Sequence, residues 1–317
     1  MRQESGPKRV FTPNVEEMKK VLGSMREARL ERAELSLPTK IIAPSPSRQT
    51  LEPMVAKTGL NVVELEKLAD KYKSDMHKLA EQKKSKAIVQ SAAHKEFLDR
   101  AAVARRVPTG HFPLLPGPGT WREAITSPFL IWPSPGLQVD DYGIQPYNSW
   151  AKLKQHSTSS GSGEVAFYYF WENPNNADTV FTADAYIVLN GHAQADDNTS
   201  YWLLDHQATQ LYISVQLEPF NWSQSQQIPL PGDLEYAVTL SAYGPGWPIS
   251  VGAIMSQDVF RGYDLRAENL IVHANQVMVF QVVMMMQYVI DDGDIDVDFS
   301  SGAFEIMCPE VLITITS

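Results

Sequence analysis

The residues most able to do chemistry cluster near the C-terminal end, where 291–298 read Asp-Asp-Gly-Asp-Ile-Asp-Val-Asp. Asp292, Asp294 and Asp296 offer hard oxygen ligands at alternate positions, the donor set Ca²⁺ prefers. The EF-hand pattern nevertheless fails, since its glycine would fall on Val297 and its bidentate acid on Ala303. A strand also aims alternate side chains in parallel instead of around a point. The segment therefore reads as a charged, water-facing strand surface that deters edge-to-edge pairing, with no metal expected.

Acid–base catalysis would draw on His192, His206 and His273, which lie among many carboxylates. None stands at a His-Glu-x-x-His spacing, and Cys308 is the single cysteine, so zinc lacks a ligand set. No Gly-x-Ser-x-Gly elbow, phosphate loop or dinucleotide fingerprint is present, so no cofactor is implied. Sandwich glycosidases act through two carboxylates without a short motif, which keeps a carbohydrate-active hydrolase as one alternative. The primary expectation is a protein that is not an enzyme.

Binding chemistry is better represented. Trp150, Trp202, Trp222 and Trp247 could stack on sugar rings while Asn198, Asn221 and Gln224 take hydroxyls. Any single tryptophan in a sandwich more often fills the core. The basic residues of the N-terminal part suggest phosphate contacts, but interspersed acids dilute them, and a loose helix-turn-helix likeness around Gly59 has the wrong alanine spacing. Nucleic acid is not an expected partner.

These residues sit in two segments with different physics. Up to Val107 the chain holds 22 of its 27 Lys and Arg against 14 of its 37 Asp and Glu, a net +8; the remainder nets −18. Only Phe11, Tyr72 and Phe97 among the aromatics precede Val107, and every tryptophan follows it. Opposite charges on one chain attract, within a subunit or between neighbours. The single cysteine excludes an intrachain disulfide, the N-terminus has no signal-peptide core, and no run reaches membrane-spanning length, so a cytoplasmic protein is expected, release by lysis or dedicated secretion aside.

Residues 1–107 are expected to be helical. Thr12-Pro13 suggests a cap and first turn, followed by an apolar stripe of Val15, Met18, Leu22 and Met25 and a stop near Leu35. After a proline-rich stretch at 38–53, Leu65, Ala69, Tyr72, Met76 and Leu79 follow a 4-3-4-3 spacing, a coiled-coil-like seam for oligomerisation. Lys83 to Lys86 should interrupt it, with a weaker helix to about 106. Residues 108–119, rich in proline and glycine, read as a hinge.

Residues 120–317 alternate short strand candidates with Gly, Pro, Asn and Ser clusters, which predicts an antiparallel β-sandwich or jelly roll. Strands are expected at 129–132, 164–172, 179–189, 210–217, 234–242, 249–254, 277–290, 294–299 and 304–316. The stretch 277–290, with only Gln281 and Gln287 polar, should be buried on both faces and turn at Asp292-Gly293 into a hairpin. Ile295, Val297 and Phe299 should face the core. The expected fold is thus α and β in separate segments, and the expected function non-catalytic: helices that self-associate or dock, and a sandwich that recognises a glycan or protein. A pore-forming, membrane-acting protein is the other alternative, disfavoured because the helices lack a long apolar face.

Overall fold

The computed structural model describes residues 14–36, 52–53, 55–59, 61–105, 120–173, 175–197, 208–222, 228–230, 232–243 and 253–316. Helices α1 (Val15–Ser36) and α2 (Val62–Arg105) precede thirteen strands: β1 (Thr120–Ile125), β2 (Leu130–Pro133), β3 (Val139–Gly143), β4 (Trp150–Ser157), β5 (Gly161–Glu172), β6 (Thr179–Asp197), β7 (Ala208–Trp222), β8 (Ile228–Pro229), β9 (Asp233–Tyr243), β10 (Ile254–Val272), β11 (Val277–Val289), β12 (Gly293–Asp298) and β13 (Glu305–Thr316). The hinge expected at 108–119 lies outside the described residues. The strands form two antiparallel sheets. One runs β1-β13-β4-β12-β6-β10 with β3 on β4, and the other runs β2-β5-β11-β7-β8 with β9 on β7.

The most apolar stretch occupies the centre of the second sheet. β11 pairs with β5 on one edge and β7 on the other, from Val277 to Tyr288 on both sides. With both edges taken it has none left for the strand that follows. The expected hairpin is therefore replaced by an arch, in which the chain crosses the sandwich and β12 pairs with β4 and β6 of the other sheet. Gly293 makes the arch possible. Its φ is +154°, and a Cβ there would lie 1.9 Å from the Asp196 carbonyl oxygen, so backbone would have to move for any other residue.

Ile295, Val297 and Phe299 are fully buried between the sheets, as their alternation requires. They join inward residues of β6 (Phe181, Ala185, Ile187, Leu189) and of β11 (Phe280, Val282, Met284). Each large side chain so buried contributes on the order of 2 kcal/mol. The other face of β12 departs from expectation. It is partly shielded by Lys84 of α2, so that Asp294 and Asp296 are half-buried and Asp298 is only 1% exposed. Strand β10, absent from the expected set, runs for 19 residues against β6. Its inward Tyr263, Leu265 and Ala267 alternate with Asp264, Arg266 and Glu268, and a bulge between Ala267 and Leu270, with Asn269 at φ 56°, breaks the period.

Helix α1 is capped two residues later than expected, at Asn14 instead of Thr12: the Asn14 carboxamide oxygen accepts from the Glu16 and Glu17 amides at 3.2 and 3.5 Å. Its expected stripe is its buried face, with Met18 and Leu22 sealed against β5, β7 and β11. Helix α2 corrects two expectations. It is one continuous helix through Lys83–Lys86, since lysine is a good helix former and Lys84 faces the sheet. The expected seam is divided: Ala69 is buried and Leu65 and Met76 half-buried, but Tyr72 and Leu79 point outward, so the five residues do not share one face of the helix. Buried positions Ala80, Ala87, Ser91, Leu98 and Ala102 instead follow the helical period, and the small side chains of all but Leu98 let the helix lie close to the β6–β10 surface. One helix thus covers each outer face of the sandwich.

Candidate functional site

The two helices are fastened by charge pairs between the basic and acidic parts of the sequence. On α1, the Arg26 Nε donates to Glu164 Oε1 at 2.9 Å, and its terminal nitrogens donate to the Pro133 and Trp132 carbonyls at 2.9 and 2.5 Å. Its guanidinium also lies over the Trp132 ring, 3.8 Å from the centroid. Arg29 donates through Nε and Nη2 to both Glu164 oxygens at 2.7 and 2.8 Å, and through Nη1 to Glu218. The Gln281 carboxamide, oriented to satisfy its neighbours, accepts from Arg29 Nη1 at 3.0 Å and from the Tyr168 hydroxyl at 3.2 Å. Burial opposes the Arg29 charge, but Glu164 and Glu218 outweigh it and hold its pKa above the ordinary arginine value. The Tyr168 phenol is pushed up to about 12, first by burial.

On α2 the fasteners are lysines and histidines. Lys84 Nζ donates to Asp296 Oδ2 at 2.5 Å and lies 3.6 Å from Asp298 Oδ2. Lys95 pairs with Glu305 and, at 3.5 Å, with Asp99. The His77 Nε2 approaches Asp196 Oδ2 at 3.2 Å, and the His94 ring stacks on Phe260 with centroids 3.9 Å apart. Burial opposes the Lys84 charge, yet the bonded Asp296 and nearby Asp298 raise its pKa. Burial likewise opposes the Asp298 charge, but Ser301, the Ser300 and Ser301 amides and Lys84 lower its pKa. The Asp196 pKa is raised, chiefly by burial, with Asp294 and Asp197 adding to it and His77 and Lys73 working against it. Beneath this helix, His94 Nδ1, Asn190 Oδ1, His192 Nε2 and Asp196 Oδ1 are buried without a hydrogen-bond partner among the described residues.

The outward side of α2 carries large apolar residues among its charged ones. Val63, Leu68, Tyr72, Leu79, Val89, Phe97 and Val103 are all exposed, with Phe97 at 68% and Val89 at 81%. These make up half of the exposed large hydrophobics among the described residues, and none of the others lies on α1. Concentration of this kind marks an interaction surface.

A second feature is a cleft of about 440 Å³ between α1 and the β7–β9 edge. Its apolar floor includes Met25, Leu230 and Leu234, and its polar wall comprises Arg29, Arg32, Gln216, Glu218 and Asp233. The Asp233 carboxylate is held by the Arg266 and Leu234 amides at 2.9 and 2.8 Å.

The residues singled out from sequence are placed apart. Trp150, half-buried on β4, lies against Gly143, where a Cβ would come within 2.9 Å of its indole nitrogen. Trp222 and Asn221 end β7 in the opposite sheet, and Trp222 meets Phe170 edge-on at 6.3 Å. The two tryptophans therefore share no platform. Trp202, Trp247, Asn198, Gln224 and His206 lie outside the described residues. His192, buried, bonds Asp258 at 2.7 Å, and His273, exposed, bonds Asp178 at 2.9 Å, so the two pairs do not share a site. Asp296 is neutralised by Lys84, Asp294 stands opposite Asp196 across β12 and β6, and Asp292 is half-buried at the arch. Among the described residues no group of three or more His, Cys, Asp or Glu is placed to hold a metal ion. No helix among them is long and apolar enough to cross a membrane. Sequence reading missed the Arg26–Arg29–Glu164 cluster, although Gln281, set alone among apolar neighbours, marked its position.

No family model matches the chain, and no curated protein matches it. Among solved structures it is similar to a module for specific mannan recognition, TmCBM27, at 14% identity over 63% of this chain and 99% of that one, with a TM-score of 0.26. It is also similar to TmCBM61 in complex with β-1,4-galactotriose (10% identity, 51% and 69% covered, TM-score 0.19). A third is the CBM22-1 xylan-binding domain of Paenibacillus barcinonensis Xyn10C (9%, 61% and 96%, 0.18). These neighbours are β-sandwich carbohydrate-binding modules.

Proposed function

We propose that this chain is a non-catalytic interaction protein in which residues 1–107 serve assembly and the sandwich forms the rigid body being assembled. The outward face of α2 carries this reading. One side of the helix is fixed to the sheet by Lys84, Lys95 and His77, while the other presents large apolar residues that water solvates poorly. The test is light scattering on the full chain beside a Leu68→Glu, Tyr72→Glu, Phe97→Glu variant. The wild-type chain is expected to scatter as a multiple of its monomer mass, and the variant as a monomer with an unchanged melting temperature. A wild-type chain that stays monomeric across micromolar concentrations overturns the reading.

The cleft favours a second reading, recognition of a saccharide. Its wall offers two carboxylates, a carboxamide and an exposed arginine over an apolar floor, groups that take hydroxyls and the apolar face of a sugar ring. Calorimetric titration with manno-, xylo- and galacto-oligosaccharides tests it, and binding is expected to fail in Asp233→Ala. No heat with any of them, or equal heat from the variant, rejects the cleft as the site.

A further inference from the structure

The outward residues of α2 have a symmetry of their own. Leu68, Tyr72, Asp75, Leu79, Gln82, Lys86, Val89 and Ala93 follow one another at 4-3-4-3-4-3-4, a heptad seam that Phe97 extends by one further turn, and all are exposed. Three pairs of seam residues are symmetric about the midpoint between Gln82 and Lys83: Leu68 and Phe97, Tyr72 and Ala93, and Leu79 and Lys86, while Asp75 mirrors Gln90 on the flank. Both ends are apolar and the middle is polar.

We infer that the occupant of this face is a second copy of the same chain, with its α2 running antiparallel about a two-fold axis at Gln82–Lys83. This inference rests on the assembly reading and adds the partner and its direction. Charge decides the direction. In a parallel, in-register pair Asp75 would meet the partner's Asp75 and Lys86 the partner's Lys86, like charges facing at two layers. Antiparallel, Asp75 comes within one turn of the partner's Lys86, whose stem covers the partner-facing Leu79 while its ammonium reaches the carboxylate. Lys71, on the flank of the seam, comes within two residues of the level of the partner's Glu96, about 3 Å along the axis. Each contact occurs twice, as a closed two-fold interface requires. Polar residues within a heptad seam set register at some cost in stability, and Asp75, Gln82 and Lys86 are placed to do so.

Single-cysteine variants of the full chain test this, because Cys308 is fully buried and burial pushes its thiol up to about 12, keeping it out of cross-linking. At 1.5 Å rise per residue, Leu68 lies about 44 Å from the partner's Leu68 in the antiparallel pair and beside the partner's Phe97. Under mild oxidation Gln82→Cys is expected to run at twice the monomer mass. Leu68→Cys and Phe97→Cys should each stay monomeric alone and cross-link when mixed. If Leu68→Cys cross-links to itself while the glutamate variant still abolishes association, the antiparallel direction is overturned and the assembly reading stands. If the chain associates but no α2 cysteine cross-links, or if it is monomeric throughout, both are overturned.

Discussion

Two helices cover two sheets of one sandwich, and they do so in opposite ways. The α1 seam is apolar around a saturated centre. Met18 and Leu22 are buried, Arg26 and Arg29 spend their donors on Glu164, Glu218, Gln281 and two backbone carbonyls, and no large apolar residue of α1 is among the exposed ones described. The α2 seam is held by lysines and histidines at alanine-lined positions. Several polar atoms beneath it lack partners among the described residues, and its outer side exposes seven large apolar residues among charged ones. Helix α1 is finished by the contacts within the chain. Helix α2 is not, and that difference is the ground on which the proposed assembly is put on α2.

The largest expected effect breaks the finished seam. Replacing Arg29 by methionine leaves Glu164, a carboxylate without solvent exposure, with one cation where it had two and strands part of its charge. Breaking a buried pair from one side costs about 3–5 kcal/mol, which urea unfolding would read directly. Arg29→Met with Glu164→Gln should recover part of that loss, because the uncompensated charge leaves with its partner. A loss below about 1 kcal/mol for Arg29→Met would mean the two seams do not differ as described.

Alkaline pH separates the seams without mutation. The folded-state pKa of Lys84 and of Lys95 is raised, so each contributes stability that is full below the ordinary lysine value near 10.5 and is lost as pH rises through the folded value. The α1 seam rests on arginines, which stay charged across that range. Amide exchange along α2, from Ala80 to Leu98, is therefore expected to accelerate above about pH 10.5 before exchange along α1 does. Acid acts on α2 also. The Asp298 pKa is lowered, so its contribution is present above the ordinary aspartate value and disappears as pH falls through the folded one. At neutral pH, Lys84→Met should cost about 1–2 kcal/mol, less than Arg29→Met because Lys84 is partly solvated. Equal losses would erase the contrast.

The sandwich was legible because strands announce themselves by period. The apolar run at 277–289 and the alternation of Ile295, Val297 and Phe299 define two strands whose burial the structure reproduces. Pairing partners were not legible, since Asp292-Gly293 signals a turn but not which sheet the next strand joins, and only the occupied edges of β11 decide that. Strand β10 escaped because a bulge and frequent charges obscure its alternation. Helix α2 was harder still. Its buried face is mostly alanine and serine, while Leu68, Tyr72, Leu79 and Phe97 are exposed among charged residues, so a seam drawn through Leu65, Ala69, Tyr72, Met76 and Leu79 mixes residues of two faces. The charge division between the two parts was plain in composition, and the ion pairs from Arg26, Arg29, Lys84 and Lys95 show where it closes.

The smallest expected effect tests whether the outer face of α2 belongs to the fold at all. Phe97 and Leu98 are neighbours in sequence, yet Leu98 is 4% exposed in a cluster with Ala102, Tyr186, Val188 and Met307, whereas Phe97 faces solvent. Under dilute conditions Phe97→Ser should change unfolding free energy by no more than about 0.5 kcal/mol, as a surface substitution does. At higher concentration the wild-type chain should gain stability that the variant does not, because a partner that binds only the folded state stabilises it by mass action. A Phe97→Ser variant that is destabilised equally at every concentration would place Phe97 in the internal packing of the chain. The contrast between a finished α1 and an unfinished α2 would then fail at its weakest point.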